Sequence, residues 1–280
     1  MRALIMAGGF GTRLYPLTQS RPKPMLPLGH EPVLAHILNL LQRHGFSDVI
    51  LATNYRSKQI QDYFTDGKSR GLSLYYSVEP TPLGTAGSVK YAQSYLRNET
   101  FLVISGDIVT DIDLSEVVQA HIEKRALASL ALTQVTDCSS YGVVITDSDG
   151  RVRQFLEKPG HQPLMSQFVN TGIYVLEPDV LDYIPPATFC DFSYDIFPQL
   201  LDDGASFFAW QAAGYWCDMG TIQSYQQAIA DVQDGKVNLD HCLTDSLMAK
   251  AAISELARMS YRVHLWPSPL RMHRYTIVLH

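Results

Sequence analysis

Cysteine is scarce in this chain. Cys138, Cys190, Cys217 and Cys242 are the four among 280 residues, scattered and without a C-x-x-C pair. That pattern supports neither a disulfide framework nor a zinc site and suits a reducing cytoplasm. No apolar run is long enough to span a bilayer, and no charged-then-apolar leader precedes the first predicted strand. A cytoplasmic chain without a membrane partner is the expectation. Positive charge is in the minority, 22 Lys and Arg against 28 Asp and Glu, for a net charge of -6. Nothing therefore suggests nucleic acid as a partner, and any anion site must be a local basic spot on an acidic protein. Two common phosphate loops, G-x-x-x-x-G-K-[ST] and G-x-G-x-x-G, are missing. So are a G-x-S-x-G nucleophile elbow and any cysteine–histidine pair that spacing recommends. Internal repeats and low-complexity tracts are absent too.

What is present begins at Gly8. The string GGFGTRLYPLTQSRPKPMLP follows an apolar run, residues 3–7, that reads as a buried first strand. Glycines let backbone approach a ligand and point bare N–H groups at it. Arg13 and Lys23 arrive in the same neighbourhood, which makes a site for several phosphate charges. A nucleoside triphosphate is the guest such a loop suggests.

Downstream, apolar strands alternate with helical patterns. Helices are predicted over 31–44, 57–64, 85–96 and 221–233, and strands over 48–53, 73–79, 101–105, 172–176 and 206–211. The segments 142–146 and 152–157 flank Asp147-Ser148-Asp149-Gly150 as a hairpin. Continuous apolar strands separated by helices argue for a mostly parallel sheet covered on both faces, a Rossmann-like α/β class. At about Asn238 the character changes. The expected division is a body over 1–237 and a tail over 238–280 with a helix at 244–259 and a basic, proline-broken end.

The twenty-residue string resembles, along its whole length, the signature GGxGTRLxPLTxxxPKPMxP of the sugar-1-phosphate nucleotidyltransferases. Within them the chain looks most like the mannose-1-phosphate guanylyltransferase branch and its glucose-1-phosphate relatives. The resemblance covers residues 1–237, and the tail lacks the hexapeptide register with which many members continue. It implies the nucleotidyltransferase fold and a reaction in which a hexose 1-phosphate attacks an NTP, with Mg²⁺, releasing pyrophosphate. Such chemistry needs cations and alignment rather than a protein nucleophile.

The resemblance also implies roles for particular residues. Gly8, Gly9, Gly11 and Thr12 would line the nucleotide, with Arg13 and Lys23 as the triphosphate clamp. Asp107, after the strand in VISGDIVTD, and Asp218, in GYWCDMGT, would hold magnesium. Asp111 and Asp113 read instead as turn or helix-cap residues. Lys158 would neutralise the sugar phosphate, and Glu157 would accept from sugar hydroxyls. Tyr141, Gly142, Asn170 and Thr171 would complete that pocket, Gly142 by leaving room for the sugar. The segment EPTPLGTAG would read the base through Glu79, Gly84 and Thr85.

A carboxylate at position 79 accepts hydrogen bonds and cannot donate. Guanine offers two donors together, so GTP and mannose 1-phosphate are the expected substrates. A glucose-1-phosphate uridylyl- or thymidylyltransferase is the enzyme alternative, and a catalytically silent nucleotide-sugar sensor the alternative of another class. Oligomeric state is not readable from these residues.

Overall fold

A computed structural model describes residues 1–97, 99–160 and 165–239. The expected tail, its helix at 244–259 and Cys242 lie outside the described residues, apart from Asn238 and Leu239.

The strands are β1 (Arg2–Met6), β2 (Pro27–Leu28), β3 (Glu31–Pro32), β4 (Asp48–Thr53), β5 (Ser73–Val78), β6 (Phe101–Ser105) and β7 (Ile108–Thr110). They continue with β8 (Ala128–Gln134), β9 (Gly142–Thr146), β10 (Val152–Glu157), β11 (Phe168–Leu176), β12 (Phe207–Gln211) and β13 (Trp216–Asp218). The helices are α1 (Val33–Arg43), α2 (Ser57–Phe64), α3 (Gly84–Tyr91), α4 (Leu114–Lys124), α5 (Phe197–Asp202) and α6 (Ile222–Gln233).

Among the described residues the main sheet runs β10-β9-β11-β6-β1-β4-β5, with β8 on β11 and β12 on β8. The neighbours β6, β1, β4 and β5 are parallel. At β11 the direction reverses, because β11 is antiparallel to both β6 and β8. The mixed, mostly parallel architecture expected from the sequence is present in the first half, and the antiparallel strands gather in the second.

The central strands are apolar on both faces because each face has its own core. Along β1, Ala3 and Ile5 join the cluster with Leu34, Leu38 and Leu41 of α1, while Leu4 joins the cluster with Ala86 and Val89 of α3. The two-residue pleat repeats this split in β4 and β6, where Leu51 and Ile104 face one way and Ile50 and Val103 the other. A strand wet on one side would have alternated with polar residues instead.

Boundaries shift for local reasons. α1 starts at Val33 because Glu31 and Pro32 pair with β2. The helix expected over 85–96 stops at Tyr91 and tightens into a 3-10 turn, Gln93–Tyr95. Thr221 caps α6, accepting from Ser224 N–H while the Ser224 hydroxyl accepts from Thr221 N–H. Asp113 caps α4 as expected, accepting from Ser115 and Glu116. Strands β2, β3, β7, β8 and β13 and helices α4 and α5 are additions to the elements read from sequence.

Candidate active site

The C-terminal ends of β1 and β6 open on the same edge of the sheet, the usual place for ligands in parallel α/β folds. From β1 leaves the glycine-rich loop. Gly11 has φ +65, and a Cβ there would come within 2.9 Å of Thr18 Cγ2 and 3.1 Å of Lys23 Cβ. Only glycine allows that turn and that closeness. The Thr18 hydroxyl donates to the Gly11 carbonyl at 2.8 Å, closing the loop on itself. Beyond it, side chains at the start of α2 hold consecutive carbonyls. Arg56 Nη2 donates to Gln19 O and Gln59 Nε2 to Ser20 O, each at 2.9 Å. A loop pinned in this way delivers Lys23 to a fixed place, the first residue of a 3-10 turn, Lys23–Met25. Gly9 has open space around it, while Gly8 lies against Asn54 and the Glu79 carboxylate. Thr12 and Arg13 sit in an exposed 3-10 turn, Thr12–Leu14.

The two aspartates, far apart in sequence, meet through a short ribbon. β13 pairs antiparallel with β7, placing Asp218 opposite Ile108, and Met219 N–H donates to Asp107 O at 3.2 Å. The Lys23 ammonium lies between the two carboxylates, in direct contact with Asp107 Oδ2 and 3.5 Å from Asp218 Oδ1. Gly220 makes room for the same group. A Cβ there would come within 2.8 Å of Asp218 Oδ2 and 3.1 Å of Arg13 Nη2. Arg13, Lys23, Asp107 and Asp218 are thus brought together. Burial and the like charge of Asp107 push the Asp218 carboxyl up, against the pull of Lys23 and Arg13. Burial opposes the charge on Lys23, but the two aspartates outweigh it and hold its pKa above the ordinary lysine value.

Two facing carboxylates that already share one cation are a donor set suited to magnesium, which takes one or two carboxylates and completes its shell from substrate phosphates and water. Among the described residues no cluster of three or more His, Cys, Asp or Glu forms an all-protein cage. Asp107 and Asp218 therefore fit a substrate-bridged magnesium.

On the base side, Glu79 is buried. Its Oε2 accepts from Leu83 N–H at 3.1 Å, while Oε1 has no partner among the described residues and faces Gly8. Desolvation pushes this carboxyl up. Gly84 and Thr85 open α3 and pack against the 190–192 segment. Gly84, at φ +76, meets the protein's own backbone, since a Cβ there would lie 2.5 Å from Cys190 O. Thr85 donates to Asp191 Oδ2 and accepts from Phe192 N–H, both at 2.9 Å, so its hydroxyl fastens the chain to the 190–192 segment. The Ala86 and Gly87 N–H groups donate to Cys190 O as well. Two N–H groups of the first turn of α3 are thus taken by the protein itself.

On the β11 side, Lys158 has φ +46, a rare backbone state for lysine. Its N–H donates to Tyr141 O at 3.0 Å, its ammonium pairs with Glu157 at 3.1 Å, and Tyr194 presents its ring 5.9 Å away. Lys158 lies near enough to Arg13 for the two charges to oppose each other. Tyr141 packs edge-on against Trp216, 5.4 Å between ring centres. Burial, and then the charge of Asp218, push its phenol up.

Three of the expected sugar-pocket residues are held by neighbouring parts of the protein. A built Cβ at Gly142 would come within 2.7 Å of Phe155 and 2.8 Å of Glu157, so this glycine lets both side chains lie close. Thr171 is wholly buried and donates to Ala131 O at 2.7 Å. Asn170 accepts from Gly172 N–H and donates to the Tyr174 hydroxyl, each at 3.0 Å, which leaves one amide N–H uncommitted by these bonds. All of this sits where β11 bulges between Asn170 and Tyr174.

Two residues missed in the sequence matter here. Trp216 donates its indole N–H to Thr171 O at 2.9 Å and so ties β11 to the strand that carries Asp218. Gly220 admits Arg13 to Asp218. Both lie in the GYWCDMGT segment that flags Asp218, which was their available signal.

A family model described as nucleotidyl transferase matches residues 2–235. The chain is 39% identical over 245 residues to a UTP–glucose-1-phosphate uridylyltransferase of Synechocystis sp., covering 83% of this chain and 63% of that protein. It is also 39% identical over 234 residues to a mannose-1-phosphate guanylyltransferase of Mycobacterium tuberculosis, covering 83% and 65%. The chain thus spans less than two thirds of the length of these relatives. Among solved structures, HddC from Yersinia pseudotuberculosis complexed with GMP-PN superimposes with a TM-score of 0.71 at 27% identity, over 82% of this chain and 99% of that one.

Proposed function

Because the chain belongs to the nucleotidyl transferase family, we propose that it transfers a nucleotidyl group from a nucleoside triphosphate to a hexose 1-phosphate, releasing pyrophosphate. The observation that carries this reading is the meeting of Arg13, Lys23, Asp107 and Asp218 at one end of the sheet. No hydroxyl or thiol nucleophile is required. The sugar phosphate is an anion at neutral pH, and one of its oxygens attacks the α-phosphorus directly. That bond forms as the α–β phosphoanhydride bond breaks and its electron pair leaves on pyrophosphate. The barrier is repulsion between anions and their alignment.

Each residue then has a physical task. Arg13 stabilises charge developing on the transferring and leaving phosphates. Lys23 holds the nucleotide phosphates, and Lys158 neutralises the acceptor's phosphate. Asp107 and Asp218 would hold a magnesium ion, which when bound polarises the α-phosphate and screens its charge. Gly8 and Gly9 let the phosphates approach the loop. Glu157, held against Lys158, accepts from sugar hydroxyls.

GTP is the proposed donor and mannose 1-phosphate the proposed acceptor. The support is Glu79, whose unpartnered Oε1 is an acceptor facing Gly8. Guanine's N1–H and amino group supply two adjacent donors, where uracil has a single N–H flanked by acceptors. A second reading, uridylyl transfer to glucose 1-phosphate, is favoured by the equal 39% identity to relatives of both names.

Pyrophosphate release over a matrix of NTPs and sugar 1-phosphates tests both. Highest kcat/KM for GTP with mannose 1-phosphate is expected, with Glu79→Gln eroding the preference for GTP. Preference for UTP with glucose 1-phosphate would establish the second reading. Release from no pair would leave a nucleotide-sugar sensor.

A further inference from the structure

Lys23 occupies an unusual position for a phosphate-binding lysine. Its side chain is nearly excluded from solvent, and its ammonium touches Asp107 Oδ2 and lies 3.5 Å from Asp218 Oδ1. Arg13 stands across Gly220 beside the same Asp218. Two negative and two positive groups therefore balance within one partly buried cluster.

A bare divalent cation entering this cluster needs the oxygens that the ammonium holds. If the displaced ammonium stays nearby, the cluster carries two excess positive charges in a partly buried place, an expensive arrangement. A triphosphate changes the arithmetic. It brings about four negative charges and offers the lysine new acceptor oxygens. The four-carbon stem of lysine lets its point charge swing between partners, as a planar guanidinium fork does less readily.

Resting on the reading above, in which a nucleoside triphosphate and a divalent cation meet in this cleft, we propose that Lys23 is a resident counter-cation whose displacement makes divalent-cation binding conditional on the triphosphate. The coupling is reciprocal, so the cation must tighten the nucleotide by the factor by which the nucleotide tightens the cation. The lysine thereby acts twice, first in place of the metal and then on the phosphates.

Mn²⁺ binding, followed by calorimetry and by electron paramagnetic resonance, tests this without turnover. Wild-type protein should bind Mn²⁺ alone weakly and at least about tenfold more tightly with a non-hydrolysable GTP analogue. Lys23→Met should bind Mn²⁺ alone about tenfold more tightly than wild type, and Lys23→Arg should stay close to wild type. Adding Asp107→Asn to the methionine variant should remove the gain. An unchanged Mn²⁺ affinity in a folded Lys23→Met protein overturns the proposal, as does a gain that survives Asp107→Asn. If the methionine variant fails to fold, wild type alone decides, because equal Mn²⁺ affinity with and without the analogue also overturns it. Turnover is read separately. Coupled Mn²⁺ and analogue binding in a protein that transfers nothing would sink the proposed reaction and leave the counter-cation standing; an active enzyme without coupling would do the reverse.

Discussion

On the β1 side, the charged residues marked by the sequence gather in one cluster, whereas on the β11 side several are absorbed into the fold. Lys23, Asp107 and Asp218 bond chiefly to one another. Thr171 and much of Asn170, by contrast, support the backbone of a bulged strand. Thr85, near the base side, behaves like the second set, clamped to Asp191 and Phe192. Hydroxyl and amide side chains satisfy backbone as readily as they bind ligands. Buried charges facing one another serve packing poorly, so the charged cluster is the stronger sign of function.

The largest break in this comparison should come from Asp107→Asn, with pyrophosphate release falling by about 10³-fold while thermal stability is nearly kept. Equal losses of activity and melting temperature would make Asp107 a structural residue. Next, Arg13→Ala should lower kcat by about 10²-fold, read in single-turnover kinetics. Lys158→Ala should raise KM for the sugar phosphate about tenfold and leave KM for the nucleotide alone, given a surface-accessible cation that meets only the acceptor; equal changes in both constants would erase the distinction between the two subsites.

Smaller effects belong to the residues absorbed into the fold. Thr171→Val should cost about 1–2 kcal/mol in denaturant unfolding, because a buried carbonyl of Ala131 loses its donor, with kinetic constants close to wild type. The smallest is a pH effect. Burial lowers the pKa of His36, whose ring N–H donates to Leu28 O at 2.8 Å, and likewise that of His121, held between Ser129 and Glu177. The unfolded state binds more protons than the folded one in the acid range, so stability rises with pH there. The contribution is complete above the ordinary histidine pKa of about 6.5 and is lost as pH falls through the lower folded values. Melting temperature measured downward from pH 7 should show this slope, reduced in His121→Asn.

Much of the framework was legible because continuous apolar strands and helical spacing are strong signals. RALIM, DVILAT and FLVIS became the centre of the parallel sheet. The resemblance carried by the motifs also brought Arg13, Lys23, Asp107 and Asp218 forward. What it concealed was the ribbon that joins them, since β7 and β13 have three residues each, too few for any periodicity to register. The same limit hid the roles of Cys190 and Asp191, whose contacts with α3 depend on packing between distant segments. That Gly84 lies against Cys190 depends on a long-range contact as well.

The β7–β13 ribbon has a consequence for biogenesis. A ribosome that has delivered everything through β12 has supplied every strand of the main sheet, yet half of the acidic pair is still unmade. The acidic pair is therefore completed late, by a few residues that staple the end of the described chain to its middle. An arrested or clipped product ending before Trp216 would lack not only the Asp218 carboxylate but also α6, whose Tyr225, Ala228, Ile229 and Val232 belong to the core around α1.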